Sequence, residues 1–179
     1  MWSAITSRLT HDELPRGFEL MSFVILAFGA VSGAIIRSGH VIGDGVDLYG
    51  TFWFYWWIGD CLGEFRNPSF TNMMFHPLGK DIFAHTGNNF VDALIAQPFL
   101  WSFGFPNYQP WFVWFVLVAN ALAFLPLARR VCRGRSGSWA ASTLWMLNPF
   151  VLFELICGRL TQAVVWFIPL AIWQFLKIS

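Results

Sequence analysis

The stretch WFVWFVLVANALAFLPLA, residues 111–128, runs directly into RRVCRGR, residues 129–135. Its 18 residues carry no charge, and the next seven hold Arg129, Arg130, Arg133 and Arg135. An uncharged run of that length spans a bilayer as a helix, because lipid offers the backbone no other hydrogen-bond partners. Arginines crowded at its end mark the loop that stays in the cytoplasm. Both the membrane character and the orientation of the chain are read outward from here.

Three more runs are long and apolar enough to cross: 18–37, 138–157 and 160–176. Composition agrees. Charged residues are 12% of the 179 and hydrophobic ones 56%, and the 20 Phe and 11 Trp suit the headgroup region, where rings anchor. The fold class expected is all-α, a polytopic transmembrane helical protein. Alternation of the barrel kind is absent. Net charge is +1 with no broad basic surface, which argues against nucleic acid as a partner and for membrane lipid. Cys61, Cys132 and Cys157 are scattered and set neither a disulfide framework nor a zinc site. The last residues, Leu176-Lys177-Ile178-Ser179, stop at the end of an apolar segment, so the chain reads as one piece (1–179) of a longer membrane domain.

Parity then constrains the middle. Arg8 and Arg16 put the N-terminus on the cytoplasmic side, against a weaker opposing pull from Asp12, Glu13 and Glu19. The chain leaves through 18–37 and is back by Arg129, so an odd number of crossings lies between. One is 111–128; the apolar stretch 89–104 therefore does not cross, unless the N-terminus is inverted. It reads as a juxtamembrane helix, as does the aromatic stretch 49–62. The outer loop, 38–110, thus holds two interfacial helices.

Polar residues in that loop are the candidates for chemistry. Gly43-Asp44-Gly45-Val46-Asp47 sets two carboxylates three apart in a glycine-bracketed turn. A carboxylate at a membrane boundary is solvated, paired or used. Asp44 and Asp47 are the candidate catalytic acids, with Asp47 also a natural N-cap for the helix 49–62. His76, Lys80 and His85 lie in the polar stretch 75–89. The histidines, with the aspartates, are candidates for binding a phosphate or a divalent metal, and Lys80 for offsetting anionic charge; ordinary turn chemistry explains the same residues. Arg159, one position past Gly158, is either the local ion-pair partner of Glu154 or a phosphate clamp, with Gln162 one helical turn on. Asn148-Pro149, Pro126 and Pro169 predict kinks in their spans.

Taken in order, these features resemble a known family. The acidic turn after the first span, the aromatic stretch ending in tryptophans, Phe75-His76-Pro77-Leu78-Gly79-Lys80-Asp81, Asn88-Asn89, Pro98, Phe103-Gly104, Leu127-Ala128-Arg129-Arg130, and Gly158-Arg159-Leu160-Thr161-Gln162 before Trp166 and Pro169-Leu170 carry the likeness. The chain resembles the N-terminal part of bacterial multi-pass proteins of the GT-C glycosyltransferase superfamily, relatives of the protein O-mannosyltransferases and aminoarabinose transferases. The resemblance implies a lipid-linked sugar, a polyprenyl-phosphate sugar, as donor. It implies transfer on the outer face of the bacterial inner membrane and a catalytic acid in the first outer loop. That acid falls on Asp44 first and Asp47 second, with Arg159 toward the donor phosphate. In the mannosyltransferases the two acids are adjacent, whereas here they stand three apart. Asp44 is expected to act as general base on an acceptor hydroxyl or to orient it. Two other readings belong to different classes: a transporter or flippase, which needs polar residues at mid-membrane depth such as Asn120 and Asn148, and a non-enzymatic membrane subunit.

Overall fold

The computed structural model describes residues 17–85 and 90–178. Helices dominate it: α1 Phe18–Ile36, α2 Val46–Gly63, α3 Ile82–His85, α4 Phe90–Phe103, α5 Tyr108–Val131, α6 Gly134–Met146, α7 Pro149–Ile156, α8 Leu160–Ala163 and α9 Phe167–Ile178. A two-residue antiparallel pair, β1 Phe70–Thr71 and β2 Lys80–Asp81, closes the loop before α3, with Phe70 opposite Asp81. Among the described residues four stretches are long and apolar enough to cross a membrane: Phe18–Ile36, Tyr108–Val131, Gly134–Ile156 and Leu160–Ile178. The chain is a helical membrane protein. The arginines at positions 8 and 16, which bear on the N-terminal side, lie outside the described residues, as do Asn88 and Asn89.

Helix α5 is the hub, packing against α1, α4, α6 and α9. Its partner α1 buries Phe23, Ala27 and Val31, one residue per turn at a spacing of four. The remaining sides of α1 expose Leu20, Met21, Ile25 and Phe28, as suits a helix whose solvent on those sides is lipid. Small residues at the contacts (Ala27, Ala121, Ala128) let the backbones approach closely.

The bundle has two distinct ends. At one, Glu19 of α1 is buried and takes both Arg129 Nη2 (2.8 Å) and Arg135 Nη2 (2.9 Å). The start of α1, the end of α5 and the start of α6 therefore meet there. Glu19 counts against the basic end in a simple tally, yet two of the arginines hold it. At the other end the loop closes on itself: Gly39 N donates to Asn107 Oδ1 (2.7 Å), Ile42 N donates to Gln109 Oε1 (3.0 Å), and Gln109 Nε2 donates to the Ile42 carbonyl (2.8 Å). Residues 38 to 107 thus leave and re-enter the bundle at one point, opposite the basic end. At 14 residues α4 is only about 21 Å long, short of the bilayer core, and it packs on α2.

Two of the expected continuous spans are broken. The third, read as 138–157, ends one helix at Met146 and starts another at Pro149. Asn148 caps the new helix, its Oδ1 accepting from Val151 N at 3.0 Å, and proline fits the first helical position because it has no N–H to satisfy. The fourth, read as 160–176, unwinds between Ala163 and Phe167, just ahead of Pro169. Asn120 of α5 fills that gap. It is fully buried, its Nδ2 donates to the Ala163 carbonyl (2.9 Å), and its Oδ1 accepts from Val165 N (3.1 Å).

Candidate functional site

The acidic turn folds as its glycines require. Gly43 and Gly45 have φ of +92° and +106°, in the left-handed half of backbone space that side chains disfavour. Their turn docks on a second glycine turn between α7 and α8. Asp44 N donates to the Ile156 carbonyl at 3.0 Å. A Cβ on Gly43 would overlap the Leu155 carbonyl and stand 2.8 Å from Gly158 N; one on Gly158 (φ +72°) would stand 2.7 Å from Leu48 Cβ and 2.8 Å from the Asp44 carbonyl. Two segments more than 100 residues apart thus meet backbone to backbone. Gly158→Ala is expected to push them apart, costing about 2–3 kcal/mol between left-handed strain and overlap. A thermal melt in detergent reads the loss, and an unchanged midpoint would overturn the docking.

That contact brings Asp47 to Arg159. Arg159 Nε lies 3.5 Å from Asp47 Oδ2, and its Nη1 lies 3.3 Å from Glu154 Oε2, with the guanidinium 5.8 Å from the centre of the Phe153 ring. The local Glu154 ion pair expected for Arg159 is therefore present, and Asp47 joins it. Glu154 is buried and Asp47 exposed. Neither contact is a hydrogen bond: Arg159 Nε and Glu154 Oε2 are buried atoms with no hydrogen-bond partner among the described residues. The guanidinium is charge-compensated, yet its Nε–H has no acceptor among the described residues.

A cleft of about 800 Å³ opens at this point. Asp47, Thr51, Asp92, Arg159, Thr161 and Gln162 supply its polar side chains, and Trp53, Phe54, Trp166 and Phe167 are among its aromatic walls. Of the residues singled out from sequence, the structure unites Asp47, Arg159 and Gln162. It separates Asp44, which is exposed and whose Oδ1 accepts from Gly45 N at 2.7 Å, and which does not line the cleft. The cap expected at Asp47 is corrected too. The helix starts earlier, with Gly45 at the cap position, so Asp47 sits in the first turn, where its charge complements the helix dipole. His76 is exposed in the loop and Lys80 places its ammonium 5.6 Å from the centre of the Phe75 ring; neither lines the cleft. His85 ends α3, and its side chain lies outside the described residues.

Asp92 is the residue that sequence reasoning passed over. Burial pushes its carboxyl up to about 6. The signal was there: it is the single charge in the apolar helix α4. No group of three or more His, Cys, Asp or Glu among the described residues is placed to hold a metal ion.

Compared with protein-family models, with curated proteins and with solved structures, the chain matches none of them.

Proposed function

We propose that this chain is the donor-binding part of a membrane glycosyltransferase that moves a sugar from a polyprenyl-phosphate donor to an acceptor, in the manner of the GT-C superfamily. One observation carries the reading: Arg159 lines a cleft beside Asp47, with an Nε–H that has no hydrogen-bond partner among the described residues. A planar fork of N–H groups matches two phosphate oxygens at once. The aromatic walls suit a sugar ring or the first prenyl units.

In this reading the donor phosphate sits on Arg159, with Thr161 and Gln162 beside it. The acceptor oxygen attacks the sugar carbon, the carbon–phosphate oxygen bond breaks, and polyprenyl phosphate leaves with the electron pair. Arg159 stabilises the charge that develops on the leaving oxygen. Asp47 holds the guanidinium in place and orients the acceptor. With the arginine-rich end in the cytoplasm, the cleft opens on the outer face of the bacterial inner membrane.

The transporter reading loses its best support. Asn120 and Asn148, the polar residues at mid-span, have their amides occupied by backbone groups at the two helix breaks. Asp47→Asn in the full-length protein tests the enzyme reading. Release of polyprenyl phosphate from a panel of hexosyl- and pentosyl-phosphoprenols is expected to fall about 100-fold, with folding intact. A wild-type rate in that variant would sink the role of Asp47.

A further inference from the structure

Asp92 and Asp47 share the cleft but not their surroundings. Asp47 lies against a guanidinium. Asp92 has neither an ion pair nor a hydrogen bond among the described residues, and it is half-buried. Its helix is locked in place: Gln97 Nε2, five residues on, donates to the Tyr55 carbonyl of α2 (3.0 Å) and to the Ala93 carbonyl (2.9 Å). Ala93 and Ala96 are fully buried on the same side. The carboxyl is thus fixed on the cleft wall rather than carried on a loose loop.

The groups facing it are few. Asp47 and Arg159 line the same cleft, and neither contributes to the shift of Asp92. From α2 comes Tyr55, whose buried phenol is pushed well above its ordinary value and stays neutral. Helix α5, the other neighbour of α4, adds no residue to the cleft lining. Among the described residues no cation pairs with Asp92, and burial raises its proton affinity.

We propose that Asp92 is the proton acceptor of the transfer, taking the acceptor's hydroxyl proton as that oxygen attacks the sugar carbon held at Arg159. The inference rests on the glycosyl-transfer reading above. The O–H bond of the acceptor breaks and its proton passes to the Asp92 carboxylate. The new carbon–oxygen bond forms, and the old one to phosphate breaks with its electron pair leaving on polyprenyl phosphate. No oxidant or further reactant is needed. A carboxylate tied to an arginine, as Asp47 is, makes a good anchor and a weak base. A carboxyl titrating near 6 is largely ionised at pH 7 and still basic enough to accept a proton. The two acids then divide the work, one holding charge and the other moving a proton.

Asp92→Asn and Asp92→Glu in the full-length protein, reconstituted in lipid, test this. Two readouts are needed: release of polyprenyl phosphate from the phosphoprenol-sugar panel between pH 5 and 8, and binding of citronellyl phosphate followed by tryptophan fluorescence, since Trp53 and Trp166 line the cleft. The wild-type rate is expected to fall about tenfold per pH unit below pH ~6, as the base becomes protonated. Asp92→Asn is expected to be about 100-fold slower or worse, without that limb, yet to bind citronellyl phosphate within about threefold of wild type. Asp92→Glu is expected to restore a limb, displaced in pH. Asp92→Asn turning over at the wild-type rate, or keeping the limb, would overturn the assignment alone. A wild type that binds citronellyl phosphate but releases nothing from any donor would overturn the transfer reading and the base with it.

Discussion

Arg159→Ala is expected to abolish citronellyl phosphate binding and to lower turnover on polyprenyl-phosphate sugars by about 10²–10³-fold. The side chain is the cation of the cleft, and the lost interaction is strongest where charge develops, on the leaving phosphate. Arg159→Lys separates charge from shape. Lysine returns a point charge but not the fork, so binding is expected to recover further than turnover. Equal recovery of both would mean that charge alone suffices.

The same substitution has a structural cost, and the two effects must be told apart. Glu154 is buried, and Arg159 is its ion-pair partner at 3.3 Å. Removing one partner of a fully buried pair costs about 3–5 kcal/mol. Arg159 is about one-third exposed, so water shares the load and about 1–3 kcal/mol is expected. Adding Glu154→Gln to Arg159→Ala removes the stranded charge. The double variant is expected to regain most of the stability and none of the phosphate binding. If phosphate binding returned with stability, Arg159 would be a structural residue and the proposed function would lose its main support.

These expectations bear on how much was legible in the residues themselves. The apolar runs decided the spans, and the uncharged 111–128 against four arginines placed both ends of the bundle. Charge counting and parity put the loop 38–110 at one end, as the Asn107 and Gln109 bonds do independently. Sequence periodicity missed the breaks in the third and fourth spans as breaks. Asn148-Pro149 announced one, but the unwinding ahead of Phe167 depends on Asn120, more than 40 residues away. The cleft lining was half visible. Arg159, Asp47 and Gln162 were singled out on residue type, but placing Asp47 rather than Asp44 in the cleft needed the turn geometry, in which Asp44 accepts from its neighbour's N–H. Asp92 was hidden because a lone acid at the start of an apolar helix looks like a helix-end residue until its neighbours are known. His76 lies away from the cleft and the side chain of His85 lies outside the described residues; polar loop residues outnumber functional ones, and only packing tells them apart.

Asn120→Ala is expected to destabilise the bundle by about 3 kcal/mol. Hydrogen bonds between membrane helices average only about 0.6 kcal/mol, because the unfolded chain in lipid finds substitutes. Here substitution is hard. The Ala163 carbonyl and Val165 N lie where the helix is unwound, so no intrahelical partner takes them over, and Asn120 is fully buried on α5. Each stranded group then costs about 1–3 kcal/mol. Asn120→Asp divides the pair: an ionised carboxylate accepts from Val165 N but cannot donate to the Ala163 carbonyl, and it adds a buried charge, so it is expected to be no better than alanine. Unfolding by SDS titration measures both. An alanine variant within about 0.5 kcal/mol of wild type would mean that the break at 164–166 is closed by other means. The variant also bears on function, because Thr161, Gln162, Val164 and Trp166 all line the cleft on either side of the break. Losing Asn120 is therefore expected to weaken citronellyl phosphate binding through disorder of that wall. A second, distant substitution that restores stability should restore binding as well, which no variant of Arg159 is expected to allow.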